Sequence, residues 1–346
     1  MLDSRPAALA PKAAGPGSVS PETVGPEAAG ITGLDIEILG LPQELGAASR
    51  GTLMGPDALR TAGLARALAE LGHRVSDHGN LHDAPPADVA MDPDAAARCR
   101  FLPEISGWIR EIHGRAHAMA ARGGVPIFLG GDHAISMGTV SAVARHCAAT
   151  GRELAVLWVD AHPDYNVPAT SPSGNLHGMS LAFLAGEPVL APILDRPVDP
   201  VAHANLHVFG ARSIDPGERA RLRAHGVDVV DMRQIDERGV AALMAERIAR
   251  WQEKGVWLHV SFDVDFLDPE VAPGTGTVVP GGATYREAHL VMEMLSDAGL
   301  VGSLDVVELN PFLDTRGRTA LAATELVASL FGRRVLDRKP GATSAA

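Results

Sequence analysis

The run Leu154-Ala155-Val156-Leu157-Trp158-Val159, closed by Asp160-Ala161-His162-Pro163-Asp164-Tyr165-Asn166, decides how this chain is read. Six apolar residues ended by an acid read as a buried strand delivering polar groups at its carboxyl end. Asp160, His162 and Asp164 stand two apart, so while the backbone stays extended their side chains project to one side and can converge on a point. Three hard or borderline ligands on one edge suggest a divalent cation. An acid after a buried strand is also a common helix cap, so this segment alone leaves both readings open.

Outward from this stretch, strands and helices alternate. Upstream lie strand Val125-Pro126-Ile127-Phe128-Leu129 and a helix over about 134–149. Downstream come a helix near 178–186, strands at 206–209 and 227–230, a helix at 237–254 and a strand at 255–262. A long Gly/Pro loop, a helix at 284–299, a strand at 303–307 and a helix at 318–333 follow. Nearer the start, a strand at 36–39 leads through a loop with Gly46, Gly51 and Gly55 to a helix from Pro56 to Leu71. A short strand Arg74-Val75-Ser76-Asp77, a polar connection over 80–100 and a helix at 101–122 complete the pattern. Strands separated by single helices imply an α/β fold, a three-layer αβα sandwich around a mostly parallel sheet of about eight strands. One domain over 34–334 is expected. Residues 1–33, rich in Ala, Pro and Gly, offer too little burial to offset ordering entropy and are expected to be a disordered tail, and 335–346 a flexible one.

Composition narrows the function. The 346 residues carry a formal net charge of −12 with no Lys/Arg run that could track phosphates, which argues against nucleic acid and anionic membranes as partners. Two cysteines, Cys99 and Cys147, make no disulfide framework and are expected to be reduced, buried thiols of a cytoplasmic protein. No apolar run reaches membrane-spanning length.

Parallel α/β sheets take ligands beyond the carboxyl ends of their strands. Four strands deliver polar residues there. The strand at 125–129 passes through Gly130-Gly131 to Asp132-His133, and that at 154–159 delivers Asp160, His162 and Asp164. The strand around Val260 delivers Asp263 and Asp265, and the strand at 303–307 delivers Glu308. Each piece has a plainer reading: a tight turn, a satisfied core histidine, an acid capping the next turn. Together, two histidines and four aspartates without Lys or Arg between them repel one another unless cations neutralise them. Six ligands exceed one tetrahedral zinc and fit two cations bridged by shared carboxylates. Oxygen-rich donors with two imidazoles and no thiolate favour manganese.

Four motifs are then recognisable: Gly130-Gly131-Asp132-His133, Asp160 to Asn166, Ser171-Pro172-Ser173-Gly174-Asn175-Leu176-His177-Gly178, and Ser261-Phe262-Asp263-Val264-Asp265 with the loop through Thr277. On these the chain resembles the ureohydrolase family, most closely its arginase branch, from about residue 35 to 334. The resemblance implies an αβα fold, two Mn2+ ions per subunit, and hydrolysis of a guanidinium to urea and an amine. It implies one metal on His133, Asp160, Asp164 and Asp263 and the other on His162, Asp160, Asp263 and Asp265, with metal-bound hydroxide attacking the guanidinium carbon. Asp164 would relay its proton, His177 would pass one to the leaving amine, Glu308 would pair with the guanidinium, and Thr277 would border it.

Substrate choice falls to the loop from Asn166 to His177. In the arginase branch the counterparts of Asn166, Ser171 and Ser173 hold an α-carboxylate, and those of Asp215 and Glu218 hold an α-ammonium; hydroxyl and amide donors suit the first, acids the second. Asp215-Pro216 with Glu218 also reads as a helix N-cap, and both readings can hold at once. L-arginine is the expected substrate, over agmatine or guanidinobutyrate, and a homo-oligomer, trimer or hexamer, the expected assembly. Two departures stand out: Met179-Ser180 replaces a more usual Met-Pro, and Val278-Val279 lies where Pro is common. Neither is expected to touch a proposed ligand. A non-catalytic ligand-binding relative would keep the pocket without turnover. A zinc deacetylase on a related architecture would want paired histidines and a catalytic tyrosine, which the chain does not offer.

Overall fold

Strand β1 (Asp35–Leu41) runs into a glycine-containing loop and then helix α1 (Gly55–Thr61), with Pro56 in its first turn. The computed structural model describes residues 33–336, so the expected tails lie outside the described residues except for Gly33, Val335 and Leu336. Gly63, at φ 91°, leaves helical geometry and splits the helix expected from Pro56 to Leu71 into α1 and α2 (Leu64–Glu70). Strand β2 (Arg74–Asn80) follows, then a short α3 (Pro93–Ala96), long α4 (Leu102–Ala120), β3 (Val125–Gly130), α5 (Ser136–Thr150) and β4 (Leu154–Val159). After a long loop come α6 (Ser180–Leu184), β5 (Leu206–Ala211), α7 (Pro216–His225), β6 (Asp228–Asp231), α8 (Met232–Arg238) and α9 (Val240–Lys254). The chain continues through β7 (Trp257–Asp263), α10 (Tyr285–Ala298), β8 (Val301–Val307) and α11 (Arg318–Leu330). Helix α7 was expected only at its Asp215-Pro216 start, and the helix expected at 237–254 is interrupted at Gly239.

Among the described residues the eight strands form one sheet in the order β2-β1-β3-β8-β7-β4-β5-β6, and every pairing is parallel. The expectation of a mostly parallel sheet is met more strictly than stated. Strand β4 shows why its sequence is continuously apolar: Ala155, Leu157 and Val159 pack into a core with α1, α2, α9, α10 and α11, whereas Leu154, Val156 and Trp158 face a second core with α4, α5 and α6. A strand buried on both faces has no solvent side to be polar on. Its neighbour β7, and β8 beyond it, differ. Toward α5 they present His259, Ser261, Ser303 and Asp305, all buried, and Ser136 and Thr139 of α5 donate to Asp305 Oδ2 at 2.7 and 2.8 Å.

Topology gathers the site. Strands β3, β8, β7 and β4 are adjacent in the middle of the sheet although β3 and β4 are consecutive in sequence, so their carboxyl ends open onto one crevice. Register then levels the key residues. Val159 pairs with Phe262 and Asp263 with Val307, which brings Asp160, Asp263 and Glu308 to nearly the same height.

Gly131, directly after β3, is confined by the first loop. A Cβ there would lie 2.6 Å from the Leu41 carbonyl oxygen and closer still to that of Gln43. Gly131→Ala is therefore expected to lower stability by ~2–3 kcal/mol, since backbone cannot yield as a flexible side chain can. Denaturant unfolding read by circular dichroism checks it.

Candidate active site

Three aspartates are oriented by one device. Asp160 Oδ1 accepts from the His162 amide at 2.6 Å, Asp263 Oδ1 from the Asp265 amide at 2.8 Å, and Asp265 Oδ1 from the Ala161 amide at 3.0 Å. With one oxygen of each tied to backbone, the other turns inward. The extended spacing of two within Asp160–His162 and Asp263–Asp265 makes these bonds possible, because each acid caps the turn its own strand enters. The capping and the clustering thus coexist.

The inward atoms converge. His133 Nδ1 lies 3.0 Å from Asp160 Oδ2, 3.1 Å from Asp164 Oδ2 and 3.2 Å from Asp263 Oδ2. His162 Nδ1 lies 3.0 Å from Asp265 Oδ2 and 3.5 Å from Asp160 Oδ1. Two clusters result, His133 with Asp160 and Asp164, and His162 with Asp160 and Asp265; Asp160 belongs to both. The His133 ring is fixed from behind: Nε2 meets Ser261 Oγ at 2.8 Å and the ring stacks on Trp158, centres 3.9 Å apart and planes 5° from parallel.

Electrostatics show the cage to be short of positive charge. Burial, reinforced by the other acids, pushes the carboxyls of Asp164, Asp263 and Asp265 above their ordinary range. Burial alone would depress the histidines, yet the surrounding carboxylates carry His133 well above its usual value and His162 to about 12. Asp160 is the exception, held below its ordinary range by both histidines against the cost of burial, while the other acids and the imidazoles are drawn toward protons for want of further positive charge. His133 Nδ1 and Asp160 Oδ2, both buried and 3.0 Å apart, face one another without the alignment of a hydrogen bond. Buried oxygen and imidazole donors, orphaned and facing one another, fit divalent cations.

One cation approaches the cage from outside without pairing with its acids. Arg212, the residue after β5, sends its guanidinium to the carbonyls of Asp265 at 2.6 Å and Val279 at 2.8 Å, not to a carboxylate. It braces the loop behind Asp265. The sequence carried no periodic signal for it.

Above the cage a cavity is walled by Asn166, Ser171, Ser173, His177, Ser213, Asp215, Glu218 and Thr277 together with His162, Asp164, Asp263 and Asp265. The structure thus brings the proposed metal and substrate residues to one place, and adds Ser213, which the sequence did not single out. Thr277 Oγ1 donates to Asp265 Oδ2 at 2.8 Å. Glu308 lies beneath the cavity instead of on its wall: Oε1 accepts from the His133 amide at 2.9 Å and meets His177 Nδ1 at 2.8 Å, while buried Oε2 has no hydrogen-bond partner. Burial works against the His177 charge, but Glu308, with Asp164 and Asp132, raises that imidazole to about 9. Asp164 and Glu308 also hold positive φ, 51° and 62°, a conformation side chains rarely adopt and one that concentrates at functional positions.

One expectation needs amendment. Ser180, in place of the usual proline, does touch a ligand residue, since its hydroxyl lies 3.1 Å from the His133 carbonyl and 2.8 Å from that of His177. At Glu218 the N-cap reading is realised: both its oxygens already accept backbone amides, Tyr165 at 2.7 Å and Asp215 at 3.2 Å, in a capping box. Asp132 is no ligand; its carboxylate takes the amides of Gly46 and Ala134 at 2.7 and 2.9 Å and holds the first loop against the site.

Comparison with known proteins places this geometry. The sequence model of the Arginase family matches residues 34–332. An arginase of Brucella melitensis biotype 1 is 51% identical over 306 residues, 87% of this chain and 97% of the relative, and one of Agrobacterium fabrum is 50% identical over 304 residues, 87% and 92%. The solved native arginase from Bacillus caldovelox at pH 5.6 superposes with a TM-score of 0.80 at 38% identity, covering 88% of this chain and all of that one.

Proposed function

We propose, from the premise that the chain belongs to the arginase family of amidine-cleaving hydrolases, that it converts L-arginine and water to L-ornithine and urea with two manganese ions. The observation that carries the reading is the sharing of Asp160 between two His/Asp clusters, buried except at His162, beside a polar cavity. His133, Asp160, Asp164 and Asp263 would hold one ion and His162, Asp160, Asp263 and Asp265 the other. When bound, two such ions supply the Lewis acidity that makes water nucleophilic near neutral pH.

The chain's own groups do the rest. Asp164, its carboxyl raised first by burial and then by Asp160, takes up a proton more readily than an exposed acid and is placed to receive the one water loses. Glu308 Oε2, buried and unpartnered, is an acceptor waiting for a guanidinium. His177, held through Nδ1 by Glu308 and charged near neutral pH, carries a proton for the leaving amine. Across the cavity, the Asn166 amide and the hydroxyls of Ser171 and Ser173 suit a carboxylate, and Asp215 and Glu218 suit an ammonium.

Both acids already accept hydrogen bonds, but Glu218 is buried, which raises its carboxyl to about 8, whereas Asp215 is partly exposed, so Asp215 is expected to carry more of the ammonium recognition. Asp215→Asn should raise KM for L-arginine ~10- to 100-fold, and Glu218→Gln by less, as steady-state kinetics will show. The reading as a whole is tested by urea release from manganese-loaded protein supplied with L-arginine, agmatine or 4-guanidinobutyrate. L-arginine should give the highest kcat/KM; a preference for agmatine moves the assignment to an agmatinase, and no urea from metal-replete protein points to a ligand-binding relative. The proposal includes a cytoplasmic homo-oligomer, trimer or hexamer; no described helix is long and apolar enough to cross a membrane, and Phe312 and Leu321, 76% and 51% exposed, offer apolar contacts to a second copy.

A further inference from the structure

Tyr165 lies between Asp164 and Asn166 and is fully buried. Its backbone amide donates to Glu218 Oε1 at 2.7 Å in the first turn of α7, and its hydroxyl meets His225 Nδ1 at 2.7 Å in the last turn. Residues 218 and 225 stand seven apart, so they share one helix face and are separated by about 10 Å along the axis. One residue therefore grips α7 at two points. Between them, on the same face, Arg221 sets its guanidinium carbon 5.7 Å from the centre of the Tyr165 ring and pairs with Glu187. The His225 ring is backed by His203, centres 4.7 Å apart, and its Nδ1 lies 3.7 Å from Glu187 Oε1.

A helix held only through Glu218 could pivot about that point. A second attachment two turns away fixes its rotation. What that rotation sets is visible at the N-cap, where Asp215 Oδ2 accepts from Asn166 Nδ2 at 3.0 Å. Asn166 belongs to the loop that carries the hydroxyl donors, and Asp215 to the helix that carries the acids. The neighbouring ligand Asp164 is held separately, its carbonyl accepting the Leu181 amide at 3.0 Å.

We propose that Tyr165, through its hydroxyl contact with His225, is a positioning residue that fixes the gap between the loop donors Asn166, Ser171 and Ser173 and the helix acids Asp215 and Glu218, and so sets selectivity for a guanidine bearing an α-amino acid group. The inference rests on the reading of L-arginine as substrate. In sequence Tyr165 has no role beyond its place in a motif; its fit is seen only once α7 lies alongside it.

The test compares manganese-loaded full-length variants. Tyr165→Phe keeps the ring and removes the hydroxyl. KM for L-arginine is expected to rise about five- to tenfold, with kcat within about twofold and bound manganese unchanged. The inhibition constant of 5-guanidinopentanoate, which has the carboxylate but no amine, should stay the same. His225→Ala, at a partly exposed residue, should reproduce the defect, and His225→Asn, which keeps a polar atom near the Nδ1 position, should restore it; this pair decides the matter if Tyr165→Phe does not fold. KM for L-arginine unchanged in both Tyr165→Phe and His225→Ala overturns the inference, as does a defect confined to kcat and metal content or shared equally by 5-guanidinopentanoate. Wild-type protein that does not hydrolyse L-arginine overturns the reading and the inference with it, whereas wild-type turnover with silent variants overturns the inference alone.

Discussion

Asp160→Asn is expected to reduce urea release from L-arginine by at least ~1,000-fold and to leave no more than one manganese ion per chain, a larger loss than the 10–100-fold typical of groups that merely support a ligand. Asp160 is the acid common to both clusters, with Oδ2 directed at His133 and Oδ1 within reach of His162. Asparagine can still accept the His162 amide that Asp160 Oδ1 accepts at 2.6 Å, so the turn after β4 is kept. Against the cost of burial, His133 and His162 hold the Asp160 carboxyl below its ordinary range, so losing its charge relieves repulsion with Asp164, Asp263 and Asp265 but gives up a larger attraction. The metal-free variant should therefore be somewhat less stable than the metal-free wild type. Elemental analysis, a urea assay and thermal unfolding on the same preparation separate these effects, and a variant that unfolds would show that Asp160 serves the sheet before it serves the site.

Glu308→Gln is expected to cost about 100-fold or more in kcat/KM for L-arginine, within the 2–5 kcal/mol that follows loss of one partner from a buried charged pair. The lost partner would be the guanidinium facing Oε2. A second consequence has a definite sign. In the wild type burial opposes the His177 charge and Glu308 outweighs it, raising that imidazole to about 9. With a neutral amide in its place burial gains weight, the His177 pKa falls, and the fraction able to donate a proton is lost at lower pH. The alkaline limb of the residual pH–rate profile should move down relative to wild type. A profile that keeps its shape while kcat/KM drops would confine Glu308 to binding.

Much of the sheet was legible because its strands are buried on both faces and so are written as continuous apolar runs, with the polar residues held back to the ends. Asp160, His162 and Asp164, and again Asp263 and Asp265, announced themselves by a spacing of two at the close of such runs. Other features were hidden for physical reasons. Helix α7, Pro-Gly-Glu-Arg-Ala-Arg-Leu-Arg-Ala-His, has one large apolar residue, Leu222, to bury, so it shows no helical stripe, and only its Asp215-Pro216 start was readable. The interruptions at Gly63 and Gly239 fall inside stretches whose apolar spacing continues across them. Arg212 and Ser213 matter through loops distant in sequence, Arg212 through carbonyls at 265–267 and 279, and no local pattern encodes such a contact. The support of His133 by Ser261 and Trp158 depends on β3, β8, β7 and β4 following one another across the sheet, which is a property of strand order and not of any one segment.

The most direct test of the central claim is a titration of metal-free protein with Mn2+, following bound metal and urea release from L-arginine together. Two equivalents per chain should bind, thermal unfolding should shift upward as the acids are neutralised, and turnover should be complete only when both ions are in place. Full turnover by protein containing no transition metal, or saturation by a single ion with no contribution from His162 and Asp265, would contradict the account.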